Sequence, residues 1–300
     1  MSQRQSGFLW VLIAILGYAF LPVFTRKIYA NSELLPSDIS IWRFMIATPS
    51  IWLILLLREK FSKQTRKTNV SPKQIFKLMA MGLCYALAAL SAVASLQYVS
   101  AGTYSVLFYT YPAIVALIGF FIGQRLQIAG WIALALTLVG VVLTVPGFSL
   151  SGDNTMLGVV ISLVNALIVA IYFSIISYVM KNASSVLRGS AWVITGTFGF
   201  LILTIPFFGL HAPNDSSVWY SLIGLGIIST ALPILLMNMA IQSLGATQTS
   251  IIATLQPILT IALAFFLINE SVLLIQIVGA ALIIAGVILL ELAPKQKLAH

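Results

Sequence analysis

A single cysteine, Cys84, excludes an internal disulfide and any multi-thiolate metal site. Histidine is nearly as scarce. His211, expected in a loop, and His300, at the C-terminus, form no evident cluster for zinc, iron or a catalytic dyad, so neither a metal nor a cofactor is expected. Charge is the deeper deficit. Only 8% of the residues are Asp, Glu, Lys or Arg, against about a quarter in a soluble domain, so this chain cannot cover itself with water-facing side chains. Apart from Arg43, which sits near one end of an apolar stretch and can snorkel toward the headgroups, no Asp, Glu, Lys, Arg or His falls clearly at mid-membrane depth. That lack argues against a proton-coupled cation exporter built on a buried carboxylate. It also deprives an intramembrane enzyme, such as a lipid-modifying transferase, of the converging acids, bases or metal ligands it needs.

What remains is apolar. Hydrophobic residues make up 60% of the chain and the mean hydropathy is +1.05; a hydrocarbon core about 30 Å thick needs roughly 20 such residues per crossing helix. Apolar stretches run over 8–25, 39–57, 75–99, 104–122, 128–145, 156–179, 190–208, 218–241, 247–268 and 272–292. The expected fold is an all-α polytopic membrane protein of ten transmembrane helices. The first stretch outruns a secretory signal core, ends in Arg26 and Lys27 and lacks a small-x-small cleavage site, so it is expected to persist as a mature helix.

The net charge of +9 is neither spread along a groove nor interleaved with stacking aromatics, which speaks against a nucleic-acid partner. It gathers in one loop, where Arg58, Lys60, Lys63, Arg66, Lys67, Lys73 and Lys77 accompany one acid, Glu59. Counting loops by parity puts that cluster with Arg4, Arg125, Lys181, Arg188, Lys295 and Lys297, against Arg26 and Lys27 on the other side. The positive-inside rule makes the richer side cytoplasmic, with both termini on it and the lipid bilayer of the inner (plasma) membrane around the chain.

The fourth and ninth stretches, laid over each other at an offset of 145, match Ser105, Pro112 and Phe120 with Ser250, Pro257 and Phe265; Arg43 meets Arg188 at the same offset. Farther on, at an offset of 146, Gly123-Gln124 meets Asn269-Glu270 and Gly140-Val141 meets Gly286-Val287. Residues 1–150 and 151–300 are therefore expected to be two copies of one five-helix unit. An odd number of helices sends the second copy in upside down, the inverted-repeat plan used for alternating access.

In these residues, with Gly17 and Pro22 in the first helix, Trp42-Arg43-Phe44 opening the second and Gly279 and Gly286 in the tenth, the chain resembles the drug/metabolite transporter superfamily, EamA family, over essentially its whole length. Gln124 stands where that family often has glutamate, and Leu16 where it often has tryptophan. The resemblance implies a transporter with a central cavity walled by helices 1, 3, 4, 6, 8 and 9, and with helices 5 and 10 as a scaffold.

Several side chains are candidates to meet a small-molecule substrate there. Ser162, Asn165 and Tyr172 share one face of helix 6, either toward a cavity or in hydrogen bonds that hold helices together. Tyr85, Ala88, Ala92 and Ser95 form a stripe on helix 3, where small residues leave either room or close packing. Asn238 in helix 8 has the same two choices, while Gln242 lies nearer the cytoplasm. The sharpest pattern is Ser105, Tyr109 and Pro112 with its mate Ser250, Thr254 and Pro257, where each proline opens the carbonyl four residues back, at Phe108 and Ala253. Pro112 and Pro257 are candidate hinges. Tyr18, Tyr85, Tyr109 and Tyr172 can box a cationic or aromatic group, and Asn165, Asn238 and Thr254 can meet carboxylate or hydroxyl groups. The expected activity is transport of an amino acid or related small metabolite, with a quaternary-amine (choline-like) or multidrug carrier as the alternative.

The charge asymmetry gives a direct test of topology. In a Cys84→Ala background, Asn214→Cys should react with an impermeant thiol reagent added outside intact cells, and Lys63→Cys only after permeabilisation; the reverse labelling would invert the orientation.

Overall fold

In a computed structural model of the chain, the residues described are 3–61, 71–95, 98–99, 104, 107–123, 127–144, 155–181, 186–259, 262–263 and 273–292. Ser105, Gln124, Arg125, Asp153, Phe265, Asn269, Glu270, Lys295, Lys297 and residues 62–70, with Lys63, Arg66 and Lys67, lie outside them. The elements are α1 (Gln3–Ala19), α2 (Leu21–Asn31), α3 (Pro36–Phe61), α4 (Pro72–Ser95), α5 (Tyr111–Phe121), α6 (Ile128–Thr144), α7 (Thr155–Lys181), α8 (Val186–Ile202), α9 (Ile205–Phe208), α10 (Ser216–Gly226), a π-helix (Ile227–Ala231), α11 (Leu232–Leu244), α12 (Ala246–Ala253) and α13 (Leu274–Leu292). Among the described residues there is no strand.

Among the described residues six helical stretches are long and apolar enough to cross a membrane: Gln5–Asn31, Pro36–Leu57, Pro72–Ser95, Met156–Val179, Val186–Phe208 and Ser216–Leu244. Tyr111–Phe121, Ile128–Leu143 and Leu274–Leu289 are shorter apolar helices. Hydrocarbon offers no partner to a bare N–H or C=O, so a crossing segment must bond its backbone within itself, which only helices and closed barrels do. Large apolar side chains lie exposed around the bundle, Leu56, Phe76, Phe121, Phe207 and Leu274 among them, as lipid contact requires.

The breaks in these helices follow proline. A turn at Phe20 precedes Leu21-Pro22, a turn at Tyr109–Thr110 precedes Tyr111-Pro112, a turn at Leu203–Thr204 precedes Ile205-Pro206, and a turn at Thr254–Leu255 precedes Gln256-Pro257. The π-helix likewise precedes Leu232-Pro233. Proline has no N–H and pushes away the carbonyl four residues back, but in the first turn of a new helix the missing donor costs nothing. The turns at 109–110 and 254–255 fall on matching positions of the two halves. Pro49 is the exception, kept inside α3, with the Thr48 and Ser50 hydroxyls donating to the Phe44 and Ile46 carbonyls at 2.7 Å on either side of the gap.

Packing partners exchange between halves. α1 lies against α11 and α4 against α7; α4 crosses α8, and α10 with the π-helix crosses α3. α6 and α13 pair chiefly with each other. Glycines set the close crossings: a Cβ on Gly140 would lie 2.7 Å from the Gly279 carbonyl oxygen, and one on Gly286 2.8 Å from that of Ala133. Gly82 and Gly196 bring the backbones of α4 and α8 together in the same way. In α1, a Cβ on Gly17 would meet the Ile228 carbonyl oxygen and Pro233 Cγ, each at 2.6 Å.

Gly17→Ala therefore forces α1 away from the π-helix. It should cost about 1–3 kcal/mol as an overpacking substitution, seen as a lower melting temperature of the purified protein. Gly199→Ala is the control, since its Cβ meets nothing within 4 Å, and should be neutral or stabilising. Equal melting temperatures for the two variants would refute the close approach.

Candidate functional site

A continuous line of polar and aromatic contacts runs through the middle of the bundle. Tyr18 of α1 and Tyr85 of α4 share a hydrogen bond between their hydroxyls at 3.1 Å. The Tyr85 ring meets the Tyr172 ring of α7 edge-on, with centroids 5.2 Å apart. Tyr172 donates its hydroxyl to Asn238 Oδ1 at 3.0 Å, and Asn238 Nδ2 donates to Ser190 Oγ at 3.1 Å. Tyr172, Asn238 and Ser190 are buried, whereas Tyr18 and Tyr85 are only partly so. Amides and phenols at this depth persist because each finds a partner.

The other end of the line is Arg43, which the sequence placed near the headgroups. It lies about two turns, roughly 10 Å, in from Pro36 and is only 6% exposed. Its Nε donates to Thr230 Oγ1, its Nη2 to the Ser229 carbonyl at 3.4 Å, and the guanidinium sits 5.3 Å from the Phe44 ring centroid. Phe44 in turn touches Tyr85, with centroids 5.9 Å apart. Pro233 explains the acceptor. Its missing N–H is the one that would have bonded the Ser229 carbonyl in an α-helix, so the chain widens into the π-helix and Arg43 takes up the freed oxygen. The same rule, applied to Pro112 and Pro257 in the sequence, points to Ser229 when applied to Pro233; the signal was present there.

The helix 6 stripe divides. Asn165 of α7 donates to the Ala88 carbonyl at 2.7 Å and to Ser91 Oγ at 2.8 Å, and accepts from the Tyr104 hydroxyl at 3.1 Å. Ser162 folds its hydroxyl back on the Gly158 carbonyl at 2.7 Å. Asn165 thus ties α7 to α4, and the Ala88 stripe serves close packing. Tyr109 is buried in a cluster with Phe173, Ile251, Ile252 and Ala253, with its ring edge-on to Phe108 and tilted against Tyr111. Thr254 is fully buried with its hydroxyl on the Ile251 carbonyl at 2.6 Å. Pro112 is buried at the start of α5, and Pro257 is buried beyond the turn that ends α12.

The two ends of the bundle differ. Beside the α2–α3 connection, the buried Asp38 carboxylate accepts from the Leu35 N–H at 2.9 Å and the His211 N–H at 3.0 Å, and lies 3.1 Å from His211 Nδ1. Trp42 Nε1 donates to the His211 carbonyl at 2.8 Å, and its ring meets Trp219 edge-on. These contacts fasten the start of α3 to the connection before α10, an engagement for which His211 gave no sign in the sequence. At the opposite end a dent with room for about one water lies between α5, α7 and α12, lined by Val115, Gly119, Ile122, Ser174, Ser177, Tyr178 and Thr247. None of the sequence-predicted site residues line it.

Known proteins agree with this architecture. A solved crystal structure superposes with a TM-score of 0.79 over 97% of this chain and 99% of its own, at 16% identity, a likeness of fold. An uncharacterized transporter of Synechocystis sp. is 27% identical, covering 97% of this chain and 94% of that protein. One of Archaeoglobus fulgidus is 26% identical over 71% of this chain and 75% of its own. Kinship points to a multi-pass membrane transporter with a small-molecule substrate rather than to an enzyme. The chain belongs to the EamA-like transporter family, whose profile matches it twice, over residues 5–145 and 156–292.

The contact between Tyr172 and Asn238 can be measured. Tyr172→Phe and Asn238→Leu should each lower the melting temperature, and their double-mutant cycle should give a coupling of about 1 kcal/mol. A coupling of zero would mean that the two side chains do not meet.

Proposed function

We propose that the chain is a secondary transporter of an amino acid or related small metabolite, working by alternating access in the inner membrane. On this reading residues 1–150 and 151–300 are inverted five-helix repeats, ten transmembrane helices in all, with both termini cytoplasmic. The observation that carries it is the pair of helix breaks at 109–110 and 254–255, one in each segment matched by the family profile. Broken helices meeting near a pseudo-twofold axis are where transporters of this plan hold substrate. The exchanged packing of α1 with α11 and α4 with α7 supports the symmetry.

Tyr18, Tyr85, Tyr109, Asn165, Tyr172, Asn238 and Thr254 are the proposed substrate-binding residues, with Pro112 and Pro257 as hinges. Tyr109 and Thr254 hold matching places three residues before their prolines, and an aromatic ring opposite a hydroxyl would orient a substrate with one apolar and one polar end. The Asp38–His211 fastening at one end supports a state held closed on that face.

Tyr109→Ala should weaken substrate affinity about tenfold or more, roughly 1.4 kcal/mol, in protein that still inserts and remains monodisperse. A packing role predicts a lowered melting temperature with unchanged affinity. Competition in reconstituted vesicles decides the substrate class: amino acids should displace one another while choline does not, and displacement by choline alone would favour the quaternary-amine carrier.

A further inference from the structure

Arg43 is a cation inside an apolar bundle, and no described residue neutralises it. Among the described residues no Asp or Glu lies within ion-pair reach of it; the buried Asp38 is engaged by Leu35 and His211 instead. The titratable groups that sense its charge are the phenols of Tyr18, Tyr85 and Tyr104. A charge withdrawn from water without a counter-charge is costly, and intramembrane cations are kept where an anion or a polar path uses them. Resting on the transporter reading, we infer that Arg43 is the anchor for the carboxylate of the substrate.

The donors for a carboxylate are present. A guanidinium carries five N–H groups in a planar fork that fits two carboxylate oxygens, and here two of them are engaged, by Thr230 Oγ1 and, at 3.4 Å, by the Ser229 carbonyl. In the Tyr18–Tyr85 pair one hydroxyl donates to the other, which leaves one phenolic hydrogen to point at an anion. Two more hydroxyls on the same elements, Ser40 one turn before Arg43 and Ser229 itself, are buried without a partner. The guanidinium lies against Phe44, which packs on Tyr85, so the cation also repels a choline-like group from that ring. A carboxylate that claims the fork competes with the Ser229 carbonyl, so binding and the shape of the π-helix are linked.

The test is thermal unfolding of the purified full chain in detergent, titrated with free L-amino acids, the corresponding amino-acid amides, benzoate, succinate, inorganic phosphate and choline. Ligand that binds the folded state raises the melting temperature by mass action. At least one carboxylate should stabilise the wild type, its amide should bind tenfold or more weaker, and Arg43→Gln should lose tenfold or more in affinity for the acid while binding the amide as before. Arg43→Lys, which keeps the charge and loses the fork, should fall between, and it carries the comparison if Arg43→Gln is not monodisperse. Undiminished affinity in the variants, equal binding of acid and amide, stabilisation by phosphate or choline alone, or no response to any carboxylate would overturn the assignment. If benzoate or succinate bind through Arg43 and amino acids do not, the anion site stands and the amino-acid reading falls. Amino acids that bind equally well without Arg43 give the opposite result.

Discussion

A backbone in hydrocarbon must close every hydrogen bond it opens, and five of the breaks in this bundle are places where proline forbids the ordinary closure. The solutions differ. At 109–110 and 254–255 the chain tightens into a turn, and a threonine hydroxyl folds back on a carbonyl of the preceding turn, Thr110 on Leu107 at 2.7 Å and Thr254 on Ile251 at 2.6 Å. Before Pro233 the chain widens instead, and an arginine from another helix reaches across to the exposed oxygen. The position of the buried cation, the approach of Gly17 to the same carbonyl ladder, and the polar line that leads from Arg43 to Ser190 all follow from that second solution.

Much of this was legible in the sequence, because composition and proline spacing act locally. Among the described residues six of the ten apolar runs form helices long enough to cross a membrane, the offset between Pro112 and Pro257 gave matching breaks, and Gly140 and Gly286, matched in the sequence as repeat mates, sit where α6 crosses α13. What could not be read was which neighbour each polar side chain finds. Asn165 and Tyr172 share a stripe on one helix, yet one fastens α4 and the other reaches α11; periodicity gives a face and cannot name the helix opposite. Arg43 was read as a headgroup contact because its distance from the span end permitted it. Only the tertiary pairing of α3 with the π-helix draws it inward.

The satisfied side chains also bear on how a substrate is received. Tyr172, Asn238 and Asn165 already hold partners, so a ligand at those residues exchanges one hydrogen bond for another and gains little from each. On the proposed reading, selectivity comes from the groups whose bonding is incomplete, and in a low-dielectric interior a charge without a counter-charge outweighs a neutral hydroxyl.

The π-helix has a consequence for the long span that contains it. A π-turn holds one residue more than an α-turn, and each residue turns the helix by about 100°. The side chains of α11 are thereby rotated out of step with those of α10. Val218, Leu222 and Leu225 of α10 lie in the cluster formed with α2 and α3, while Ile234, Met237, Asn238 and Ile241 of α11 serve α1, α7 and α8. One inserted residue lets a single rod present different faces to different neighbours at its two ends, so that it works as two half-length helices set at separate phases and joined by a swivel at mid-depth.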